Sequence, residues 1–147
     1  MKKLTTLAIV FLGLGISAQA QQSVSNAVVN QFTKLYADAE DIEWEDDDDG
    51  NLVAYFNLND NYVQATFSKN AKWLNTSTFI DDDSLPASVK TAVQKAFTGD
   101  FFYTEVEKME TPDNLQYKVE IETDDATFQV LFDKAGKLLK KEKISYD

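Results

Sequence analysis

The 147-residue chain contains no cysteine, no histidine and no arginine. It therefore has no thiol nucleophile, no imidazole base, and no sulfur or nitrogen ligand for a metal. It also lacks the bidentate guanidinium group that clamps phosphates and carboxylates. Carboxylate pairs such as Glu43 with Glu45, or Glu120 with Glu122, alternate with apolar residues, as the solvent-facing positions of a strand do. We predict a protein that is not an enzyme and needs no cofactor.

Positive charge is scarce. Fourteen lysines stand against 25 acidic residues, which gives a formal net charge of −11. A surface of that sign repels phosphate backbones and anionic lipids, so nucleic acid is not an expected partner. Cationic ligands, metal ions and basic patches on other proteins stay open as partners.

The apolar residues near the N-terminus do not form a run long enough to cross a membrane, and no later segment does. Lys2 and Lys3 precede the apolar stretch Leu4–Ile16, and Ala18 and Ala20 form a small-x-small cleavage pattern. The pattern predicts a signal peptide at residues 1–20 rather than an uncleaved anchor. We expect a periplasmic or secreted protein that does not insert in the membrane after cleavage.

The rest of the chain repeats one pattern twice. Apolar residues at helical spacing occur first around Val28 and Phe32 and again, 61 positions later, around Val89 and Val93. Each helical pattern is followed by segments of period two that are separated by turn residues. The best match, at an offset of 65, aligns residues 62–74 with residues 127–139. We predict an α+β fold of two tandem repeats, residues 21–80 and 81–147, each with one helix packed on a four-stranded antiparallel meander sheet.

The residues that alternate with the apolar ones should form the face of each sheet opposite its helix. In the first repeat this face is predicted to carry Tyr55, Tyr62, Gln64 and Trp73. Exposed aromatic side chains on a sheet are typical interface anchors, so these four are the predicted partner-binding residues. In the competing interpretation they pack against the second repeat or form cross-strand pairs. The second repeat has a charged face: Lys118, Glu120, Glu122, Thr127 and Gln129.

Two acidic runs, residues 46–49 and 81–83, raise the question of a metal site. If Gly50 took the glycine position of a calcium loop, the twelfth position would be Phe56, which cannot ligate, and strands flank the run. A solvated turn is favoured, and no metal site is predicted, although Asp47 and Asp49 are weak candidates. The alternative function is that of an acidic divalent-cation or cationic-ligand binding protein.

Several segments resemble a known family. They are Trp44-Glu45 before an acidic turn, residues 67–74, Leu85-Pro86 at a helix start, and residues 132–139. Together they resemble the PepSY-like, β-lactamase-inhibitor-like proteins exported by Bacteroidetes-type bacteria. The resemblance implies two helix-plus-four-strand units in an exported protein, and the inhibitors of this group lay a concave sheet over their partner. The segment Asn70-Ala71 departs from the Asp-Gly usual there, and no specific inhibitory residue is matched.

The favoured function is a non-catalytic exported binding or inhibitor-like module. It would present open sheet faces to a protein or peptide partner in the cell envelope. The sequence does not identify that partner, and it does not give the oligomeric state.

Overall fold

The computed structural model describes residues 23–144, and the predicted signal peptide lies outside them. The described elements follow the order helix, four strands, helix, four strands. The helices are α1 (Asn26–Leu35) and α2 (Ala87–Ala96), and a 3₁₀ turn (Asp82–Ser84) precedes α2. The strands are β1 (Glu40–Asp46), β2 (Leu52–Leu58), β3 (Asn61–Phe67), β4 (Trp73–Phe79), β5 (Phe101–Glu110), β6 (Leu115–Thr123), β7 (Thr127–Asp133) and β8 (Leu138–Ile144).

Local sequence accounts for the helix starts. The Ser25 hydroxyl accepts a hydrogen bond from the backbone N–H of Val28 at 3.4 Å, which satisfies one of the free donors of the first turn. Pro86 precedes α2, where a missing N–H is harmless and its fixed φ suits the entry into a helix.

The strands form one antiparallel sheet of eight in chain order, β1 to β8. The predicted α+β class is confirmed, but the sheet differs from the prediction of four strands for each half. Strands β4 and β5 pair with each other, for example through Thr76 opposite Glu110 and Phe79 opposite Glu107. This pairing satisfies backbone groups that two separate sheets would leave open along β4 and β5.

Each helix covers its own core on the same side of the sheet. The ring of Phe32 on α1 lies edge-on against Phe56 at a centroid distance of 4.9 Å and against Trp44 at 5.2 Å. On α2, Val89 and Val93 are fully buried. The buried core residues under α1 are Val28, Phe32, Leu52, Ala54, Phe56, Val63, Ala65 and Phe67. Those under α2 are Leu85, Val89, Val93, Phe97, Val106, Tyr117, Val119, Ile121, Val130 and Phe132.

Three of the hairpins turn in the same way. The fourth residue of each turn donates its N–H to the carbonyl of the first and has a left-handed backbone, with φ between +63° and +84°. These fourth residues are Gly50, Ala71 and Gly136. Glycine adopts this conformation without strain, whereas Ala71 does not.

Candidate binding surface

The side of the sheet that faces away from α1 and α2 is called the open face here. Directly opposed residues of antiparallel strands point to the same face, so the register defines its members. One row across the sheet runs through Glu43, Tyr55, Gln64, Ser77, Met109, Gln116 and Asp133. The predicted residues Tyr55 and Gln64 lie side by side in that row. Tyr62 lies in the next row, opposite Asn57.

Three aromatic rings make contact on the open face and are called the aromatic patch. Tyr55 and Tyr62 stack at a centroid distance of 6.3 Å with an interplanar angle of 18°, and Tyr62 lies 6.0 Å from Phe79. Tyr62 is 49% exposed, which is high for a ring on a regular strand. The rings therefore form cross-strand pairs, as the competing interpretation of the sequence expected, and the Tyr62 ring is nevertheless exposed. Tyr62 is therefore accessible to solvent while it stays in contact with the other two rings.

Phe79 is a member of the patch that the sequence analysis missed. It ends β4 at a position that alternates correctly with Asn75 and Ser77 on the open face. This alternation was the available signal.

The predicted placement of Trp73 on the open face is wrong. The pairing of β3 with β4 shifts between Thr66 and Phe67, so Phe67 opposes Trp73 while Thr66 opposes Asn75. A bulge adds one residue to a strand and turns the side chains beyond it to the other face. Trp73 consequently packs against the core under α1.

On the helix side, Trp73 takes part in a small polar network. Its Nε1 donates to Oγ1 of Thr76 at 2.8 Å, and the hydroxyl of Tyr36 hydrogen-bonds to the same oxygen. Burial raises the pKa of Tyr36, although the hydrogen bond with Thr76 opposes the shift. These residues line a cavity of about 340 Å³ beside the C-terminal end of α1, together with Lys108 and Glu110.

A polar cluster lies in the middle of the open face. Glu107 is 6% exposed, accepts a hydrogen bond from the Ser77 hydroxyl through Oε1, and forms an ion pair with Lys118 through Oε2. The Nζ of Lys118 also lies 3.9 Å from a carboxylate oxygen of Glu105. The side chains of this cluster therefore link β4, β5 and β6, and the two halves of the sheet join between β4 and β5.

The charged face predicted for the second half is present. Lys118, Glu120 and Glu122 point to the open face in register with Leu131, Gln129 and Thr127. Lys118 is the cation at its centre, and its charge is balanced by the acidic residues around it.

The aromatic patch adjoins a cavity whose lining includes acidic residues. The cavity has a volume of about 410 Å³ and is lined by Tyr62 and Phe79 together with the carboxylate-bearing residues Asp60, Asp81 and Glu105. Burial raises the pKa of Tyr55, and the nearby carboxylate of Glu45 raises it further. The electrostatic environment of the patch is therefore negative.

The carboxylate of the weak metal candidate Asp47 is engaged within its own hairpin turn. Its Oδ1 accepts from the N–H groups of Asn51 at 2.7 Å and Asp49 at 3.0 Å, and its Oδ2 accepts from the Asn51 side chain at 2.9 Å. These hydrogen bonds lower the pKa of Asp47. Asp49 contributes only its backbone to this turn. Residues 23–144 contain no group of three or more acidic side chains arranged to hold a metal ion.

Solved structures share this architecture. A BLIP-like protein from Bacteroides fragilis has a TM-score of 0.77 at 24% identity, with 87% of this chain and 92% of that chain covered. A protein from Bacteroides eggerthii described as a "putative periplasmic" protein has a TM-score of 0.75 at 23% identity (84% and 91% covered). A DUF2874 family protein from Bacteroides uniformis has 0.75 at 21% (82% and 90% covered). At these identities the likeness shows the fold.

The family is shown by the sequence. The model of the family described as "Putative beta-lactamase-inhibitor-like, PepSY-like" matches residues 50–140. The chain belongs to this PepSY-like family, and the resemblance found in the sequence is confirmed. The search of curated proteins found no match. Neither helix of the described residues has the length and apolar character needed to span a membrane.

Proposed function

We propose that this protein is a non-catalytic, inhibitor-like binding module that holds a protein or peptide partner on its open face. The observation that carries the proposal is the one-sided coverage of the sheet. Both helices pack on one side, while the other side presents the aromatic patch, in which Tyr62 is 49% exposed and Tyr55 and Phe79 are partly buried. Stacked rings that are already in place contribute contact area at little cost in side-chain entropy, which suits a binding surface.

Two further points belong to the same proposal. Export to the periplasm or beyond is supported by the signal-peptide pattern and by the description of the Bacteroides eggerthii neighbour. The division into two repeats, residues 21–80 and 81–147, is supported by a shared irregularity. The register shift at Thr66/Phe67 recurs at Leu131/Phe132, which is again an offset of 65.

Site-specific photo-crosslinking in the producing cells tests the use of the open face. A photoreactive phenylalanine replaces Gln64, which lies on the open face beside Tyr55, or Asn30, which is exposed on α1 on the opposite side. We expect a covalent adduct of defined mass from position 64 and none from position 30. The adduct from position 64 should disappear when the substitution Tyr62→Ala is added. An adduct from position 30 alone, or equal adducts from both positions, would refute the proposal.

A further inference from the structure

The charge around the aromatic patch indicates the chemistry of the partner. Strands β1 to β4 contain no lysine, and their open face carries Glu43 and Glu45 beside the rings. At the other border of the patch, the lining of the cavity next to Tyr62 includes Asp60, Asp81 and Glu105. The patch is thus a set of ring faces enclosed by negative charge.

The second half of the protein already contains a lysine placed over aromatic rings, which is the contact that such a surface favours. In the second half, Nζ of Lys141 lies 4.0 Å from the ring centroid of Phe97 and 4.9 Å from that of Phe128. A cation over a ring face is attracted by the quadrupole of the ring. Within residues 23–144 no lysine lies over the rings of the aromatic patch. Lys118, a cation of the open face, is held by the carboxylates of Glu107 and Glu105.

We propose that the aromatic patch receives a lysine or arginine side chain from a basic segment of the partner protein. The cation would lie against the ring of Tyr62, with Asp60, Asp81 and Glu105 around it. This inference rests on the proposed function, because it assigns the chemistry of the partner that the open face holds. The occupant is a protein segment rather than a free small cation because the cavity is open to solvent rather than enclosed. A small ligand needs a site that buries most of its surface, whereas a segment gains further contacts along the open face.

Binding of short peptides to the purified protein tests the inference. The probe is N-acetyl-Gly-Arg-Gly-Arg-Gly-amide, and its control contains citrulline, a neutral isostere, in place of each arginine. We expect the arginine peptide to bind more tightly and to shift the backbone amide NMR signals of Tyr62 and Phe79. Tyr62→Ala should weaken binding about two- to fivefold, as expected for an exposed cation–π contact, while Tyr62→Phe should keep it.

A matched pair of charge variants separates a local site from general attraction to an acidic protein. Asp60→Asn with Asp81→Asn removes two charges beside the patch. Asp48→Asn with Asp113→Asn removes two charges in exposed turns at the opposite end of the sheet. We expect the first pair to weaken binding of the arginine peptide roughly fivefold, and the second to change it little.

Several outcomes would overturn the inference: no binding, equal binding of the citrulline peptide, equal weakening by both charge pairs, or NMR shifts that avoid the patch. None of them would remove a crosslink at position 64, so the proposed function can survive the failure of this inference. If the crosslink at position 64 is absent but the arginine peptide still binds, the proposed function fails while the aromatic patch remains a binding site for cations.

Discussion

The carbonyl of Ser88 lies directly against Gly136, so that a Cβ built on Gly136 would be 2.4 Å from that oxygen. The contact joins the first turn of α2 to the hairpin between β7 and β8. The hydroxyl of Ser88 reinforces it by donating to the carbonyl of Lys134 in the same hairpin at 3.1 Å. Only glycine permits this approach, and its φ of +84° also favours glycine.

We therefore predict that Gly136→Ala lowers the free energy of unfolding by at least about 2 kcal/mol, since backbone strain and a backbone clash add. Gly50→Ala is the matched control. Gly50 has a similar φ of +75°, but the nearest atom to its added Cβ is Nζ of Lys69 at 3.0 Å, the end of a flexible side chain. It should cost about 1 kcal/mol. Urea denaturation followed by tryptophan fluorescence measures both, and equal losses would show that the Ser88 contact is unimportant.

The corresponding turn between β3 and β4 leads to the opposite expectation. Ala71 has a φ of +63°, which strains any residue with a Cβ. Ala71→Gly should therefore raise the free energy of unfolding, by about 0.5 kcal/mol after loss of the methyl group that packs against the core under α1. The same urea denaturation measures it. A decrease in stability would mean that the packing of the methyl outweighs the backbone strain.

Period-two alternation predicted the open-face residues Tyr55, Tyr62 and Gln64 because β2 and β3 pair without a shift in register. It failed at Trp73 because one extra residue in β4 reverses the side-chain direction, and no turn residue marks that point. Local sequence also gave no indication that β4 pairs with β5. Twenty-one residues, 80–100, separate these strands along the chain and include α2, and long-range pairing is set by tertiary structure.

The burial of Glu107 was equally out of reach of the sequence. Glu107 lies between Val106 and Lys108 in a segment rich in charged residues, and no local pattern marks it as buried. It becomes buried because Ser77 of β4 and Lys118 of β6 flank it on both sides. That environment exists only after β4 and β5 have paired.

Because Glu107 is buried and Lys118 half-buried, the two charges of their ion pair should be coupled more strongly than those of a surface pair. Lys118→Met should destabilise the protein by about 2 kcal/mol, since it leaves a buried carboxylate without its cation. In a double-mutant cycle with Glu107→Gln, we expect a coupling energy of about 1–2 kcal/mol. The control cycle uses Lys140 and Glu142, which lie 2.8 Å apart with side chains 62% and 53% exposed. Its coupling should be about 0.5 kcal/mol or less, and equal couplings would contradict the prediction.

The turn between β1 and β2 gives a pH-dependent prediction. Hydrogen bonds, first of all from the Asn51 side chain, hold the pKa of Asp47 below its ordinary value of 3.8. A carboxyl with a lower pKa in the folded chain stabilises the fold above its unfolded pKa. That contribution disappears as the pH falls through the folded pKa. Titration of the Asp47 carboxyl carbon by NMR should give a midpoint below 3.8.

The variant Asn51→Ala tests the cause of this shift, because it removes the side-chain donor but keeps the backbone N–H of residue 51. We expect the midpoint of Asp47 to rise towards 3.8. At neutral pH, Asn51→Ala should be less stable than the unmodified protein partly because it lacks this charge-assisted hydrogen bond. That part of the difference should vanish at a pH at which Asp47 is protonated in both proteins. An unchanged midpoint in Asn51→Ala would place the cause elsewhere, in the backbone donors of residues 49 and 51. The carboxylate would then still be engaged inside the turn, and Asp47 would be no better placed to bind a cation.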